Sequence, residues 1–170
     1  MIKKFLNIHF FSIFLIGILV FSRLIPHPPN FTPIITAAIF SGFLFKNFNL
    51  SIIILGISMI LTDILIGIHG TMLYVYVSLF LICFLSNKIL NFLNFKNVFF
   101  FSLGGSILFF LISNFGFWIG GALYEKNFEG LVACYYMAIP FFKNTFISTL
   151  LFSYLSLIIL NYKKKIFLNY

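Results

Sequence analysis

The sequence predicts an all-α integral membrane protein, a polytopic bundle of about six transmembrane helices forming a single domain over residues 1–170. Two observations carry this prediction. Of the 170 residues, 62% are hydrophobic and only 8% are charged, whereas about 25% of the residues in a soluble domain are charged. Apolar runs of about 20 residues, the length that crosses a bilayer, also follow one another along the chain. This composition excludes a soluble enzyme, a disordered tail and a disulfide-stapled secreted domain.

The first two predicted helices flank a proline-rich loop. The apolar run Phe5–Ser22 predicts the first helix, which we expect to remain uncleaved because no small-x-small site follows it. Four prolines then exclude a continuous helix over Arg23–Pro33. The next apolar run, Ile34–Phe45, is short for a span. It therefore either includes Asn30–Pro33 or is a partly re-entrant helix shielded by its neighbours.

The remaining apolar runs predict the rest of the bundle. Four of them are long enough to span a bilayer. A fifth, shorter run that ends near Pro140 favours an amphipathic or interfacial helix. The four spans are Leu50–Ile68, Thr71–Ser86, Val98–Gly121 and Asn144–Tyr162, and the interfacial segment is Leu131–Phe142.

Basic residues predict the orientation. The net charge of +8 forms no basic stripe of the kind that binds nucleic acid, so we interpret it as a topology signal. With six helices and both termini in the cytoplasm, eight basic residues lie inside and three outside, as the positive-inside rule requires. The inner set is Lys3, Lys4, Lys46, Lys88, Lys96, Lys163, Lys164 and Lys165, and the outer set is Arg23, Lys126 and Lys143.

Asp63 is the one acidic residue within an apolar span. A carboxylate at the bilayer centre costs about 2.5–3.5 kcal/mol on insertion scales, so we expect it to face the bundle interior. Its predicted helical stripe consists of small or apolar residues, namely Gly56, Ile60, Gly67 and Gly70. Two interpretations are compatible. Asp63 either pins a neighbouring loop through Arg23 or His27, or it is a ligand contact or proton site.

A second group of polar and aromatic residues lies near the predicted outer ends of the helices. Asn114 and Trp118 share a stripe with Leu111 and Gly121. Asn114 could join helices or contact a substrate. Trp118, like Tyr74 and Tyr135, could equally be an interfacial anchor. The pairs Ala37…Ser41 and Ala38…Gly42 indicate close packing within the bundle or docking of another subunit.

The sequence gives little support for catalysis or metal binding. His27, His69 and Asp63 could form a three-ligand site, but nothing in their spacing requires one. The printed residues contain no nucleophile-elbow, P-loop or dinucleotide-binding glycine motif. An intramembrane enzyme would have to use Asp63 with His27. We therefore expect no enzymatic activity, no metal and no cofactor.

The order of several short motifs resembles a family of small bacterial membrane transport proteins of uncharacterised function (DUF6580-like). The matching segments cover nearly the whole chain, and their order is more specific than any single motif. They are Arg23–Pro33, Ala37–Gly42, Thr62–His69, Tyr74–Tyr76, Gly105–Ser106, Phe109–Phe110, Ser113–Phe115, Trp118, Gly130–Leu131, Tyr135 and Ala138–Thr145. This family is itself similar to the substrate-binding (S) components of energy-coupling-factor vitamin transporters.

The resemblance implies uptake of a small, vitamin-like solute across the bacterial cytoplasmic (inner) membrane. It implies an outward-facing pocket under the loop Arg23–Pro33, and a membrane coupling subunit with ATPases as the energy source. The first helix lacks the alanines that S components often use for docking, so a transporter that works alone stays open. The predicted substrate-binding residues are Arg23, His27, Asn30, Asp63, His69, Tyr74, Asn114, Trp118, Tyr135 and Asn144.

A second class of function is a structural or assembly subunit of the membrane, similar to the small cell-wall elongation protein, with no transported substrate. The sequence feature that separates the two classes is the polar outer loop. A scaffold has no evident need for His27, Asn30 and Asp63 to converge outside the membrane.

Overall fold

The computed structural model describes residues 16–45 and 48–168, which form six helices and no strand. The predicted all-α class is confirmed. Part of the predicted first helix lies outside the described residues, and residues 16–24 are helical and are called α1. The other helices are α2 (Ile34–Leu44), α3 (Phe48–Ile66), α4 (Met72–Ile89), α5 (Phe95–Gly120) and α6 (Phe128–Leu168).

Four of these helices, α3 to α6, are long and apolar enough to cross a membrane. Their outer faces carry large apolar side chains such as Ile64, Leu65 and Leu73, which are about two-thirds exposed. In water such surfaces would be costly, whereas lipid tails solvate them. The predicted bounds of α3, α4 and α5 differ from the observed ones by at most three residues at each end.

The short helix α2 occupies the centre of the bundle. It has 11 residues, of which nine are buried. At about 1.5 Å per residue it is roughly half as long as the hydrocarbon core of a bilayer is thick. It begins directly after Pro33, so the alternative in which Asn30–Pro33 extends it is wrong. The other alternative, a short helix shielded by its neighbours, describes what is observed.

Side chains of neighbouring helices satisfy the carbonyl groups at the end of α2. The last four carbonyls of a helix have no partner within it, and burying them unpaired is costly. Ser51 Oγ on α3 donates to Ser41 O over 2.9 Å. Asn87 Nδ2 on α4 donates to Gly42 O over 2.9 Å. A short apolar helix can therefore end inside the bundle without leaving these carbonyl groups unpaired.

Contacts between helices define two ends of the bundle. At one end, which we call the cavity end, the end of α1 contacts the last turns of α3, and α4 begins and α5 ends beside them. Segments 25–33, 67–71 and 121–127 connect the helices there. At the opposite end, Asn87 lies beside Gly42, and Tyr154 lies beside Phe95. The basic residues Lys88 and Lys96 lie toward this opposite end.

Local sequence sets two helix boundaries. Gly67 has φ +120°, which L side chains rarely adopt, and its N–H still bonds to Asp63 O, so the glycine ends α3. Asn94 is the N-cap of α5, because its side chain accepts a hydrogen bond of 2.7 Å from the backbone N–H of Asn97. The cap explains why α5 begins before the apolar run that predicted it.

The prediction of two separate segments, Leu131–Phe142 and Asn144–Tyr162, is wrong. One continuous helix of 41 residues, α6, includes both and carries Pro140 inside it. Proline removes one backbone hydrogen bond, but helices in apolar surroundings tolerate it because neighbouring groups compensate. At about 1.5 Å per residue, α6 is longer than the hydrocarbon core is thick, so it also crosses the zone where we placed an interfacial helix.

Candidate functional site: an open cavity at one end of the bundle

An open cavity of about 860 Å³ lies at the cavity end of the bundle. This volume is within the range of small-molecule binding sites, about 300–1,000 Å³. All six described helices and the connections at this end contribute to its lining. The helices α1, α2 and α4 contribute one residue each, and most of the helical lining comes from α5 and α6. The lining residues include Arg23, His27, Asn30, Thr32, Ile34, Met59, Ile66, His69, Thr71, Val75, Phe109, Ser113, Asn114, Phe117, Leu123, Tyr124, Met137, Pro140 and Phe141.

The lining is divided chemically between two walls. The three basic residues Arg23, His27 and His69 come from the end of α1, the loop after it and the α3–α4 connection; we call this the basic wall. The part of the lining from α5 and α6 includes Ser113 and Asn114 but presents mainly apolar side chains such as Phe109, Phe117 and Met137; we call it the apolar wall. Among the described lining residues none is acidic.

Behind the basic wall, Asp63 forms a buried ion pair with Arg23. Arg23 Nη2 lies 2.8 Å from Asp63 Oδ1, and the side chains are 16% and 1% exposed. Tyr76 donates its hydroxyl to Asp63 Oδ2 over 2.6 Å. Arg23 Nη1 also contacts Thr62 Oγ1 and, at 3.3 Å, Met59 Sδ. The pair therefore joins α1, α3 and α4, with Asp63 enclosed and Arg23 forming part of the cavity lining.

The two histidines of the basic wall are exposed and bound to backbone carbonyls. His27 Nδ1 lies 2.8 Å from Pro28 O, and His69 Nδ1 lies 3.4 Å from Gly67 O. A carbonyl oxygen only accepts hydrogen bonds, so these contacts favour a proton on Nδ1. Each ring then presents Nε2 as its remaining polar atom. Both rings belong to loops rather than helices, which is where binding residues commonly lie.

The proline-rich loop 25–33 is fastened to α6. Asn144 Nδ2 donates to Pro29 O over 3.1 Å, and Ser148 Oγ contacts Asn30 O at 3.4 Å. The ring of Phe31 meets that of Phe152 edge to face at 6.1 Å. Asn30 has φ 62°, a left-handed conformation that asparagine tolerates better than most residues. The loop therefore forms a defined part of the cavity.

The chain matches the model of a family of unknown function, DUF6580, over residues 3–167. The chain belongs to this family. No curated protein and no solved structure matches it. The part of the predicted resemblance that concerns DUF6580 is therefore confirmed, and similarity to S components has no support from these comparisons.

In this DUF6580 protein, half of the ten predicted site residues line the cavity. They are Arg23, His27, Asn30, His69 and Asn114. Asn114 is half-buried and donates its side-chain amide to Phe110 O over 2.7 Å, which leaves its side-chain oxygen as an acceptor. The structure thus brings together polar residues from α1, two loops and α5 that are far apart in sequence.

Asp63 does not line the cavity, and its predicted stripe was wrong. Ile60, which the stripe places beside it, is 51% exposed. The buried face of α3 instead runs through Leu55, Met59 and Thr62. Of the two interpretations of Asp63, the structure contains the pairing with Arg23.

Four other predicted site residues contact other parts of the protein and do not line the cavity. Tyr74 packs against α5, where a Cβ on Gly116 would collide with its ring. Trp118 Nε1 donates to Glu125 O over 2.8 Å, and Lys126 Nζ lies 5.6 Å from the centre of its ring. Tyr135 donates to Leu111 O over 2.6 Å. Asn144 donates to Pro29 O in loop 25–33, as described above, and does not line the cavity.

Several lining residues were absent from the predicted set. On α5 they follow a spacing of four, Phe109, Ser113 and Phe117, one position away from the predicted stripe of Asn114 and Trp118. Phenylalanine is so frequent in this chain, with 27 copies, that a single one carries no signal. The only available signal was the helical spacing around Ser113, which needed the rotation of α5 to be interpreted.

The described residues contain no group of three or more histidine, cysteine, aspartate or glutamate side chains placed to hold a metal ion. His27 and His69 both line the cavity, while Asp63 is enclosed behind Arg23. The arrangement offers hydrogen-bonding groups on one wall and apolar contact on the other.

Proposed function

We propose that this protein is an integral membrane protein that binds a small solute in the cavity for uptake. The observation that carries the proposal is the cavity of about 860 Å³ with convergent polar groups and an apolar opposite wall. Large cavities of this composition are the usual form of small-molecule sites. The fastening of loop 25–33 to α6 supports it, because a preformed site loses less conformational entropy on binding.

The proposed location is the bacterial cytoplasmic membrane, with the cavity facing outward and both termini in the cytoplasm. The distribution of basic residues supports this orientation. The cavity end carries Arg23, Lys126 and Lys143, whereas most lysines belong to the opposite end or to the terminal segments of the sequence. An outward cavity is the arrangement that a protein needs in order to capture a solute from outside.

We propose that the energy for uptake does not come from ATP hydrolysis by the given residues, because they contain no P-loop. A membrane coupling subunit with ATPases would serve, as the expected resemblance to S components implies. Affinity purification of the tagged protein from its own membranes, followed by identification of associated subunits, tests this part. Recovery of the protein without an ATPase would favour a transporter that works alone.

The binding part of the proposal is tested by mass spectrometry of the purified protein. We expect a small molecule to co-purify and to be lost in Asn114→Ala, whose side chain lines the cavity. The matched control is Asn97→Ala. Asn97 is also a helical asparagine whose amide donates to a backbone carbonyl, Phe92 O at 3.0 Å, but it lies at the opposite end.

Two results would contradict the proposal. One is the absence of any co-purified or added small molecule from a folded sample. The other is equal loss of ligand in Asn114→Ala and Asn97→Ala, because the cavity would then have no special part in binding. A folded protein without a ligand, whose deletion alters cell shape, would favour the structural or assembly subunit instead.

A further inference from the structure

We infer that the solute is an amphipathic anion, with a carboxylate or phosphate group on the basic wall and an apolar body on the apolar wall. This inference rests on the proposed function and names the chemical class of the molecule that the cavity binds. It follows from three features of the lining: the direction of the Arg23–Asp63 ion pair, the distribution of charged groups and the segregation of the two walls.

The ion pair is an oriented dipole whose positive end faces the cavity. Asp63 is 1% exposed and Arg23 is 16% exposed, and only Arg23 is among the residues lining the cavity. The carboxylate is enclosed by Arg23 and Tyr76 on adjacent helices. A molecule in the cavity is therefore nearer to the cation than to the anion, and in surroundings of low dielectric constant that difference favours negative charge.

No described lining residue would compensate a cationic solute. The ionisable side chains of the basic wall are Arg23, His27 and His69, all of which are basic. Glu125 and Glu129 lie at the same end, but neither belongs to the lining. Glu125 instead accepts a hydrogen bond of 2.7 Å from Asn127. A buried cation would thus lack an acidic partner, whereas an anion has a basic partner in Arg23.

The apolar wall favours a solute with an apolar body. Phe109, Phe117, Met137 and Phe141 contribute aromatic and thioether surface from α5 and α6. The hydroxyl of Ser113, which lies between them on α5, donates to Phe109 O over 2.6 Å. That hydroxyl is therefore already occupied. Apart from the side-chain oxygen of Asn114, which can accept a hydrogen bond, this wall offers mainly the burial of an apolar or aromatic group.

The experiment compares carboxylates with their neutral amides. The full-length protein in phosphatidylcholine nanodiscs is titrated calorimetrically with indole-3-acetate, 3-phenylpropionate and octanoate, and with the three matching amides. We expect at least one carboxylate to bind about tenfold more tightly than its amide, the preference that one charge-assisted hydrogen bond gives. Tryptamine, which pairs the indole body with a cation, should not bind.

Variants assign that preference to the dipole. Arg23→Gln alone would strand Asp63, so the test uses Arg23→Gln/Asp63→Asn, which removes both charges and keeps hydrogen-bonding side chains. The ratio of the affinity for a carboxylate to the affinity for its amide should fall to about one. The control is Lys126→Gln, which removes a cation at the same end that does not line the cavity, and the ratio should not change.

A second arm distinguishes a free solute from a lipid headgroup as the source of the anion. Phosphatidylglycerol is added to the nanodiscs in place of part of the phosphatidylcholine. An unchanged carboxylate affinity indicates a free solute, and competitive loss of affinity indicates an anionic lipid; both outcomes support the inferred chemistry.

The inference is overturned if amides or tryptamine bind as tightly as the carboxylates, if no carboxylate binds, or if the double variant keeps its preference. Those outcomes are distinguishable from failure of the proposed function. A neutral or cationic molecule found by mass spectrometry in the cavity would leave uptake intact and remove only the assignment of an anion.

Discussion

The contact between α2 and α4 and the wall of the cavity are two regions of one bundle that use polar residues in opposite ways. In the α2–α4 contact, Ser86 Oγ donates to Ile39 O over 2.6 Å and Asn87 donates to Gly42 O. Both side chains donate to backbone carbonyls of the neighbouring helix, and the two helices are in direct contact. In the basic wall, Arg23, His27 and His69 have exposed surface beside open volume. The difference teaches that polar side chains close the bundle where they lie between two helices, and border a site where they keep exposed surface beside their internal contacts.

The largest expected effect comes from removing the buried ion pair between Arg23 and Asp63 behind the cavity. Asp63→Ala should lower the free energy of unfolding by about 3 kcal/mol, because losing one partner of a buried ion pair strands the other. The double variant Arg23→Gln/Asp63→Asn should lose less stability than the sum of the losses in Arg23→Gln and Asp63→Asn measured separately. Reversible unfolding in detergent measures each value. Additive losses in this cycle would show that the pair does not couple α1 to α3.

The next effect concerns the close approach of α2 and α4. Gly42→Ala should destabilise the protein by about 1–3 kcal/mol, because the new Cβ would collide with Cys83 O and meet Ser86 Cβ at 3.1 Å. The matched control is Gly104→Ala on α5, where no atom lies within 4 Å of the added carbon. We expect that control to be neutral or stabilising, since alanine favours a helix. Equal thermal shifts for the two variants would contradict the close packing described here.

A smaller effect tests whether hydroxyl groups hold α2. Ser86→Ala should cost about 1 kcal/mol through loss of the bond to Ile39 O. Ser102→Ala is the control, because the Ser102 hydroxyl is buried and has no hydrogen-bond partner among the described residues. Removing an unpaired buried hydroxyl should be neutral or stabilising. If Ser102→Ala destabilised the protein as much as Ser86→Ala does, the distinction between the two hydroxyls would be lost.

The smallest effect concerns the exposed tether of the loop. Asn144→Ala removes one exposed hydrogen bond to Pro29 O, so the free energy of unfolding should change by less than about 1 kcal/mol. Hydrogen exchange of backbone amides in segment 25–33 should nevertheless become faster, because the loop is less firmly fastened to α6. Unchanged exchange would indicate that the Ser148–Asn30 and Phe31–Phe152 contacts are enough to hold the loop.

Much of the fold was predictable because its signals are local. Apolar run length predicted α3, α4 and α5, and the four prolines predicted the break between α1 and α2. The continuity of α6 was not predictable in the same way. Pro140 is a strong local signal for a helix end, and only the surroundings of the helix decide whether the lost hydrogen bond is tolerated.

The site divides along the same line. The sequence by itself determined the membrane class, the scarcity of charge and the need for Asp63 to be paired, because burying a lone carboxylate is costly wherever it occurs. Only the tertiary structure decided that Arg23 is the partner, that Arg23 rather than Asp63 lines the cavity, and that Ser113 rather than Trp118 does so. Those facts depend on the rotation and depth of each helix against its neighbours, which the packing of the whole bundle sets.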